Sequence, residues 1–312
     1  MPNQKIKIGG EGKGKRLDIF LAESFKEKSR SFWQKEIKKG SVLVNNEKSS
    51  VHRFLKDNDI VEIAPQQKKI YNLQPTTYNP IFECPDYLIV EKPAGVLTHT
   101  DGKEPGLADQ LIRDFPEIKK VGEDGRWGVV HRLDRDASGL LVIARTNKFF
   151  EHIKKQFEER EIKKIYLALV YGVMPRDEDD LDFAIGRGEE KMAARPVGAE
   201  GREARTHFEV IKKFQNYTYI EAQILTGRTH QIRAHMLAYG HPIVGDKIYK
   251  LRKQKIKDLA CGRLFLHSHI LGFKDMKGEY VEYKSKLPKE LSECLKPLCP
   301  PKFLHHPAKS GT

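Results

Sequence analysis

The sequence has little cysteine, no long apolar segment and fewer acidic than basic residues. Its four cysteines are widely spaced and none forms a CxxC pair, which favours free thiols in a reducing cytoplasm. No run approaches the roughly 18 apolar residues of a membrane span, and the amino terminus lacks a signal peptide's apolar core. Neither a Walker motif nor a dinucleotide-binding glycine fingerprint is present. These absences predict a cytoplasmic protein without a membrane segment.

Histidine and cysteine residues do not make a recognisable metal site. His230 and His235 are five residues apart, so they do not share a helix face as a metal-binding pair would. Cys261, His267 and His269 lack a fourth ligand at a sensible spacing. The sequence therefore predicts no metal.

The charge balance points to a polyanionic partner. The 312 residues include 56 lysines and arginines against 43 acidic residues, a net charge of +13. Residues 1–72 hold 16 basic and 9 acidic residues, so +7 of that charge lies in less than a quarter of the chain. Such an excess favours nucleic acid first and an anionic membrane surface second.

The amino-terminal region reads as a small α/β unit that follows a polar, flexible start over residues 1–14. We predict two helices, at 16–24 and from Ser29 or Ser31 to Gly40, and strands at 42–44 and 60–63. The solvent faces would carry a phosphate-binding surface of Arg30, Lys35, Lys38 and Lys39. Merely solvated helices are the alternative.

A polar stretch between two apolar segments is the centre of the chain. Gly128–Val130 and Leu140–Ala144 are predicted to be buried strands, and the nine residues between them carry His131, Asp134 and a permissive glycine. A loop held by core strands can aim its side chains, as functional sites require. A charged turn that keeps a hairpin soluble explains the spacing equally well.

Resemblance decides between these interpretations. The run His131-Arg132-Leu133-Asp134, followed by Ser138-Gly139-Leu140-Leu141, resembles the signature of the RluA family of RNA pseudouridine synthases. The resemblance implies that Asp134 is the catalytic residue. Ala137 is a small departure, since threonine is common at that place in the family.

Further motifs extend the resemblance. Lys164-Ile165-Tyr166-Leu167-Ala168 is similar to a family motif whose tyrosine faces the target base, which implies Tyr166 as a site residue, although a packed core tyrosine is the alternative. The run Gly227-Arg228-Thr229-His230-Gln231-Ile232-Arg233 resembles the motif whose first arginine pairs with the catalytic aspartate, which implies Arg228. Arg132 and Arg233 are predicted to contact RNA. The Lys92-Pro93 turn resembles a weaker motif beside the cleft.

The amino-terminal unit resembles the alpha-L RNA-binding motif of a ribosomal small-subunit protein, which precedes the catalytic domain in many family members. The implied fold is α+β, a mixed and mostly antiparallel sheet with flanking helices, preceded by this small domain. We assign the chain to five segments: a flexible start (1–14), the RNA-binding domain (15–64), a linker (65–80), the catalytic domain (81–295) and a disordered tail (296–312).

The implied activity is isomerisation of uridine to pseudouridine in RNA, by a monomer that needs no cofactor or metal. Large-subunit ribosomal RNA is the first expected substrate and transfer RNA the second. A non-catalytic RNA-binding or ribosome-associated factor is one alternative. A glycoside hydrolase with Asp134 and Asp136 as its carboxylate pair is another, but it fits the basic charge less well.

Overall fold

The chain folds into two compact units, residues Met1–Tyr71 and Asn72–Thr312. The computed structural model describes residues 4–63, 78–100, 104–122, 126–188, 191–195, 200–251, 259 and 261–298. Most of the predicted linker and nearly all of the predicted tail lie outside these residues. Within them, no helix is long and apolar enough to span a membrane.

The first unit is a four-stranded antiparallel sheet with two helices. Its elements are β1 (Gln4–Lys7), α1 (Leu17–Ser24), α2 (Arg30–Lys39), β2 (Val42–Val44), β3 (Glu47–Lys48) and β4 (Ile60–Ile63), with a 3-10 turn at Gly10–Gly12. The strand order is β1-β4-β2-β3. The predicted caps of α2 are confirmed: the Phe32 N–H donates to Ser29 Oγ, and Gly40 has a positive φ of 80°.

The prediction of a flexible start over residues 1–14 is wrong for the described part of that segment. Gln4–Lys7 pairs along its whole length with β4, and Ile8 is buried in the core of the unit around Trp33. The lysines of β1 point outward on an edge strand, which blunts the edge against further pairing. The apolar alternation of Ile6 and Ile8 is too short to stand out from this polar, glycine-rich sequence.

The second unit is built on one large sheet. Its elements are β5 (Asn79–Glu83), β6 (Tyr87–Lys92), α3 (Leu107–Asp114), β7 (Ser138–Ala144), α4 (Asn147–Glu158), β8 (Lys163–Tyr171), β9 (Glu178–Asp182), β10 (Ala184–Arg187), β11 (Met192–Arg195), β12 (Arg205–Lys213), β13 (Tyr217–Ile224), α5 (Gln231–Ala238), β14 (Leu266–Lys274), β15 (Tyr280–Lys284) and α6 (Lys289–Leu295). Two 3-10 turns are at Pro116–Lys120 and Lys296–Leu298.

The topology confirms the predicted α+β class. The sheet has nine strands in the order β5-β6-β7-β14-β8-β13-β12-β9, with β15 also paired to β14, and β10–β11 forms a separate hairpin. Among the described strands only β7 and β14 pair in parallel. The centre of the sheet is buried on both faces. Leu141 and Ile143 of β7 join one core cluster, whereas Leu140 and Val142 pack with Phe149 of α4 in the other, so these strands have continuous apolar sequences.

Two local predictions need correction. Gly128–Val130 is not a strand, because only a single bridge from Val129 to Ile143 connects it to β7. Cys261 and Cys294 form a disulfide between the segment before β14 and α6, so the expectation of free thiols is wrong for this pair. Thirty-three residues separate the two cysteines, which gives no pairing signal in the sequence. Cys84 is free.

Candidate active site

Asp134 lies in an irregular loop, residues 131–137, that leads into β7. The Leu133 N–H donates to Thr98 Oγ1 at 3.2 Å, and the Thr98 hydroxyl donates to the Leu133 carbonyl at 3.1 Å. His131 Nε2 accepts from the Val142 N–H at 3.0 Å. Burial lowers the pKa of His131 to about 3, so this ring is a neutral acceptor at pH 7. The loop is therefore fixed on the amino-terminal side of Asp134.

Lys92, at the end of β6, connects the Lys92-Pro93 turn to this loop. Its side chain is fully buried, and its Nζ donates at 2.8, 2.8 and 3.0 Å to the carbonyls of Pro93, Val96 and Arg135. Burial lowers the pKa of Lys92 to about 7, while the negative charges of Asp134 and Asp136 oppose that shift. Because one acceptor is the residue after Asp134, Lys92 holds the carboxylate's backbone against the end of the sheet.

A glycine near the start of β7 allows this strand to lie close to β14. Gly139, the first motif glycine after Asp134, has a φ of 115°, and a Cβ there would collide with the backbone of Ser268 on β14. The parallel pairing of β7 with β14 begins at this contact. The glycine is thus required by the close approach of two backbones.

The ion-pair partner of Asp134 is Arg233. Arg233 Nη1 lies 3.2 Å from Asp134 Oδ2, and the same guanidinium makes a bidentate contact with Asp246 at 2.7 and 2.9 Å. Arg233 and Asp246 are almost completely buried, whereas 16% of the Asp134 side chain is exposed. One buried cation therefore serves two carboxylates, of which only Asp134 reaches solvent.

The predicted role of Arg228 as partner of Asp134 is wrong. Arg228 Nε donates to the Glu203 carbonyl at 3.0 Å, and its backbone N–H donates to Gln231 Oε1. The predicted RNA contact of Arg233 does not fit either, since that side chain is buried between Asp134 and Asp246. Arg233 has the role predicted for Arg228 because α5 begins only at Gln231, after His230 in the left-handed conformation. Arg228 therefore precedes the helix, whereas Arg233 lies on its buried face.

Asp134 and Tyr166 border the same cavity of about 550 Å³. Apolar walls come from Leu133, Ile224, Ile232 and Leu266. Tyr166 is 6% exposed; its burial, reinforced by the charge of Asp134, raises the pKa of its hydroxyl well above the usual range. The phenol is therefore neutral at pH 7, and its ring forms part of the cavity wall. The volume and the mixture of apolar wall and polar groups suit one planar heterocycle and its sugar.

Cationic side chains surround this cavity. The lining includes Arg132, Lys154, Arg160, Lys164 and Arg228. Arg132 is exposed, and none of the described residues forms an ion pair with it. Burial lowers the pKa of Lys164 to about 8. Among the described residues no group of three or more His, Cys, Asp or Glu side chains could hold a metal ion. The lining carries two carboxylates, Asp134 beside Arg233 and the exposed Glu158, among these positive charges.

Comparison with known proteins identifies the family. The profile described as RNA pseudouridylate synthase matches residues 86–238, and the S4 domain profile matches residues 15–61. The RNA pseudouridine synthase YlyB of Bacillus subtilis is 33% identical over 298 residues, which cover 94% of this chain and 97% of that protein. The chain belongs to the RNA pseudouridine synthases.

Within this family it is of the RluA/RluD type, with an amino-terminal S4 domain. The ribosomal large subunit pseudouridine synthase D of Neisseria meningitidis serogroup B is 33% identical, over 90% of this chain and 78% of that protein. The solved structure of human RNA pseudouridylate synthase domain containing 1 superposes with a TM-score of 0.55 at 27% identity, covering 71% of this chain and 90% of the human chain. The chain is accordingly an isomerase that converts uridine to pseudouridine in RNA.

The synthase site contains residues that the sequence alone did not single out. Asp246 and Tyr249 follow a turn at Gly245, and neither belongs to a motif that suggests chemistry. His230 belongs to the Gly227–Arg233 motif but carries no predicted role, yet its Nε2 lies 4.0 Å from Asp134 Oδ1. A lone aspartate after a glycine is common in turns, so no signal in the sequence distinguished Asp246.

Proposed function

We propose that this synthase modifies large-subunit ribosomal RNA and that Asp134 is its catalytic carboxylate. The observation that carries the proposal is the partly exposed Asp134 carboxylate, paired with a buried arginine, at the wall of a cavity that Tyr166 also borders. The Neisseria relative, whose name assigns it to the large ribosomal subunit, supports the choice of RNA. Transfer RNA is the competing substrate.

The chemistry requires a carboxylate that stays anionic in a largely dry site. In one route Asp134 attacks C1′ of the ribose and displaces N1 of uracil. In the other it removes the 2′ proton and the base leaves to give a glycal. In both, the base turns over and C5 bonds to C1′. In the first route this bond displaces Asp134 from C1′, and in the second the protonated Asp134 returns its proton to C2′. The C5 proton is then lost to solvent and N1 gains a proton. Arg233 places a positive charge 3.2 Å from this carboxylate.

The target nucleotide must leave its stack to enter the cavity, which costs a few kcal/mol. Tyr166 offers a flat wall for the flipped base. Arg132 is exposed at the cavity without an ion-pair partner among the described residues, so it is free to occupy the space that the nucleotide leaves. These features support RNA modification within a strand over hydrolysis of a small sugar substrate.

The substrate assignment is tested with RNA labelled with tritium at C5 of uridine, because C5 loses its hydrogen in the reaction. The purified chain is incubated separately with transcripts of large-subunit ribosomal RNA and of transfer RNAs, and modified positions are then mapped. We expect tritium release and pseudouridine in the ribosomal transcript. Modification of transfer RNA alone would contradict the proposed substrate. Free uracil or free sugar without pseudouridine would contradict the proposed reaction.

We further propose that α2 of the S4 unit binds RNA phosphates. The structure leaves Arg30, Lys35, Lys38 and Lys39 exposed, although two of them are engaged: Arg30 Nε contacts the buried Asp18 at 2.8 Å, and Lys39 Nζ contacts Glu36 at 2.8 Å. Within the described part of the chain, Lys35 and Lys38 form no ion pair with a carboxylate and are the freest of the four.

Replacing Lys35 and Lys38 together by glutamine is expected to weaken RNA binding and leave kcat unchanged, since both lie in the S4 unit and not at the cavity. Each lost phosphate contact should reduce the slope of log affinity against log salt by about one. Lys277→Gln with Lys284→Gln, on the β14–β15 hairpin, is the matched control for loss of two exposed charges. An unchanged salt slope in the α2 variant would exclude phosphate binding by these lysines.

A further inference from the structure

Arg233 donates more hydrogen bonds to Asp246 than to Asp134. Two guanidinium nitrogens, Nε and Nη2, donate to Asp246 at 2.7 and 2.9 Å, in the fork geometry that an arginine and a carboxylate form most favourably. Only Nη1 donates to Asp134, at the longer distance of 3.2 Å. Asp134, the proposed catalytic carboxylate, therefore receives fewer and longer hydrogen bonds from Arg233 than Asp246 does.

Asp246 itself cannot move readily. Its Oδ1 also accepts the backbone N–H groups of Ile248 and Tyr249, both at 2.9 Å, and its side chain is fully buried. The Tyr249 ring lies against the guanidinium, with its centroid 4.9 Å from Arg233 Cζ. Burial alone would raise the pKa of Asp246, but the hydrogen bonds and charge of Arg233 outweigh that effect and lower it. Asp246 is thus a fixed anion that sets the plane of Arg233.

We propose that Asp246 is a positioning residue that holds Arg233 so that Asp134 receives one hydrogen bond only, and so keeps its second carboxylate oxygen free to react. The inference rests on the proposed role of Asp134. It assigns to Asp246 an effect on the rate of the chemical step, with no contact to the substrate.

The argument follows from how guanidinium and carboxylate groups pair. Without a competing anion, Arg233 could turn its fork towards Asp134 and bind both of its oxygens. Such a pair would remain ionised, yet both oxygens would be engaged as acceptors, and the electron pair needed for attack or proton removal would be less available. In the structure Asp134 Oδ1 accepts no hydrogen bond from the described residues, and His230 Nε2 lies 4.0 Å from it.

The test replaces Asp246 by asparagine, which keeps the shape and the two backbone contacts but removes the charge and one acceptor from Arg233. We expect kcat, measured on RNA in single turnover well below the unfolding temperature, to fall about 10- to 100-fold, as small misplacements of catalytic groups typically produce. The Kd for RNA should stay within about twofold of wild type. If the role of Asp246 were purely structural, the substitution would lower the unfolding temperature, and kcat would not fall while Kd stayed constant.

Asp179→Asn is the matched control. Asp179 supports the other end of α5, because its Oδ2 accepts from the Tyr239 hydroxyl at 2.8 Å and from Arg176 at 3.0 Å. This variant should lose some stability and keep the wild-type kcat. If Asp246→Asn is not recovered folded, Asp246→Glu decides: it keeps the charge but displaces Arg233, so kcat should fall about tenfold with Kd unchanged.

The outcomes separate this inference from the function on which it rests. Asp246→Asn with wild-type kcat, or with a Kd that rises in proportion to the loss of rate, would overturn the inference alone, provided that Asp134→Asn is inactive. An active Asp134→Asn variant would overturn both. A wild-type kcat in Asp246→Glu would likewise overturn the inference, since the position of the carboxylate would then have no effect.

Discussion

Asp134→Asn is expected to abolish pseudouridine formation while the fold and the affinity for RNA remain. Asparagine fits the same space and can accept from Arg233 Nη1, so the loop fixed by Thr98 and Lys92 should persist. Asparagine lacks the anionic carboxylate oxygen that either attacks C1′ or removes the 2′ proton. We expect tritium release from C5-labelled RNA to fall by about 10³-fold or more, with a melting temperature near that of wild type.

Asp136→Asn provides the control for this prediction. Asp136 is two residues away on the same loop but does not line the cavity. Its substitution should leave pseudouridine formation intact, whereas a glycosidase-type pair of Asp134 and Asp136 would need both carboxylates. Comparable losses in the two variants would favour the paired-carboxylate alternative, and normal turnover by Asp134→Asn would exclude Asp134 as the reacting group.

Motif and periodicity predicted local features of this synthase well. The caps of α2, strand β8 around Tyr166 and the placement of Asp134 in a loop before β7 depend on residues close together in sequence. The α+β class followed from the family resemblance, and the sheet topology confirms it. The cavity that brings Asp134 and Tyr166 together also contains the Gly227–Gln231 turn, as the resemblance implied.

Features that depend on tertiary packing were not predictable in the same way. Arg228 and Arg233 belong to one motif, and the choice between them depends on the rotation of α5 against the sheet and on Asp246, thirteen residues beyond Arg233. Gln231 also fixes the turn that precedes α5. Its amide oxygen accepts from the Arg228 N–H, and its amide nitrogen donates to the Arg205 carbonyl. Neither the helix rotation nor these contacts leave a periodic pattern in the sequence.

Arg233→Ala is expected to lower both stability and activity strongly. It leaves Asp246 buried with no cation and Asp134 without its partner, and breaking a buried ion pair from one side typically costs about 3–5 kcal/mol. For a unit of this size the melting temperature should fall by about 10 °C. Arg228→Ala is the matched variant, an arginine from the same motif whose guanidinium bonds the Glu203 carbonyl and no other group among the described residues; its unfolding free energy should change by less than about 1 kcal/mol.

A double variant separates the two effects of Arg233. Arg233→Met combined with Asp246→Asn removes the buried cation together with the charge of its buried anion, while the asparagine oxygen can still accept from the Ile248 and Tyr249 N–H groups. Removing both charges of a buried pair costs much less than removing one. We expect the double variant to recover most of the unfolding free energy lost in Arg233→Ala, as urea denaturation would show, but not the turnover, because Asp134 would still lack a positive partner. Recovery of both would mean that Arg233 serves the fold alone. If Arg228→Ala instead proved the more destabilised single variant, the assignment of the Asp134 partner to Arg233 would be refuted.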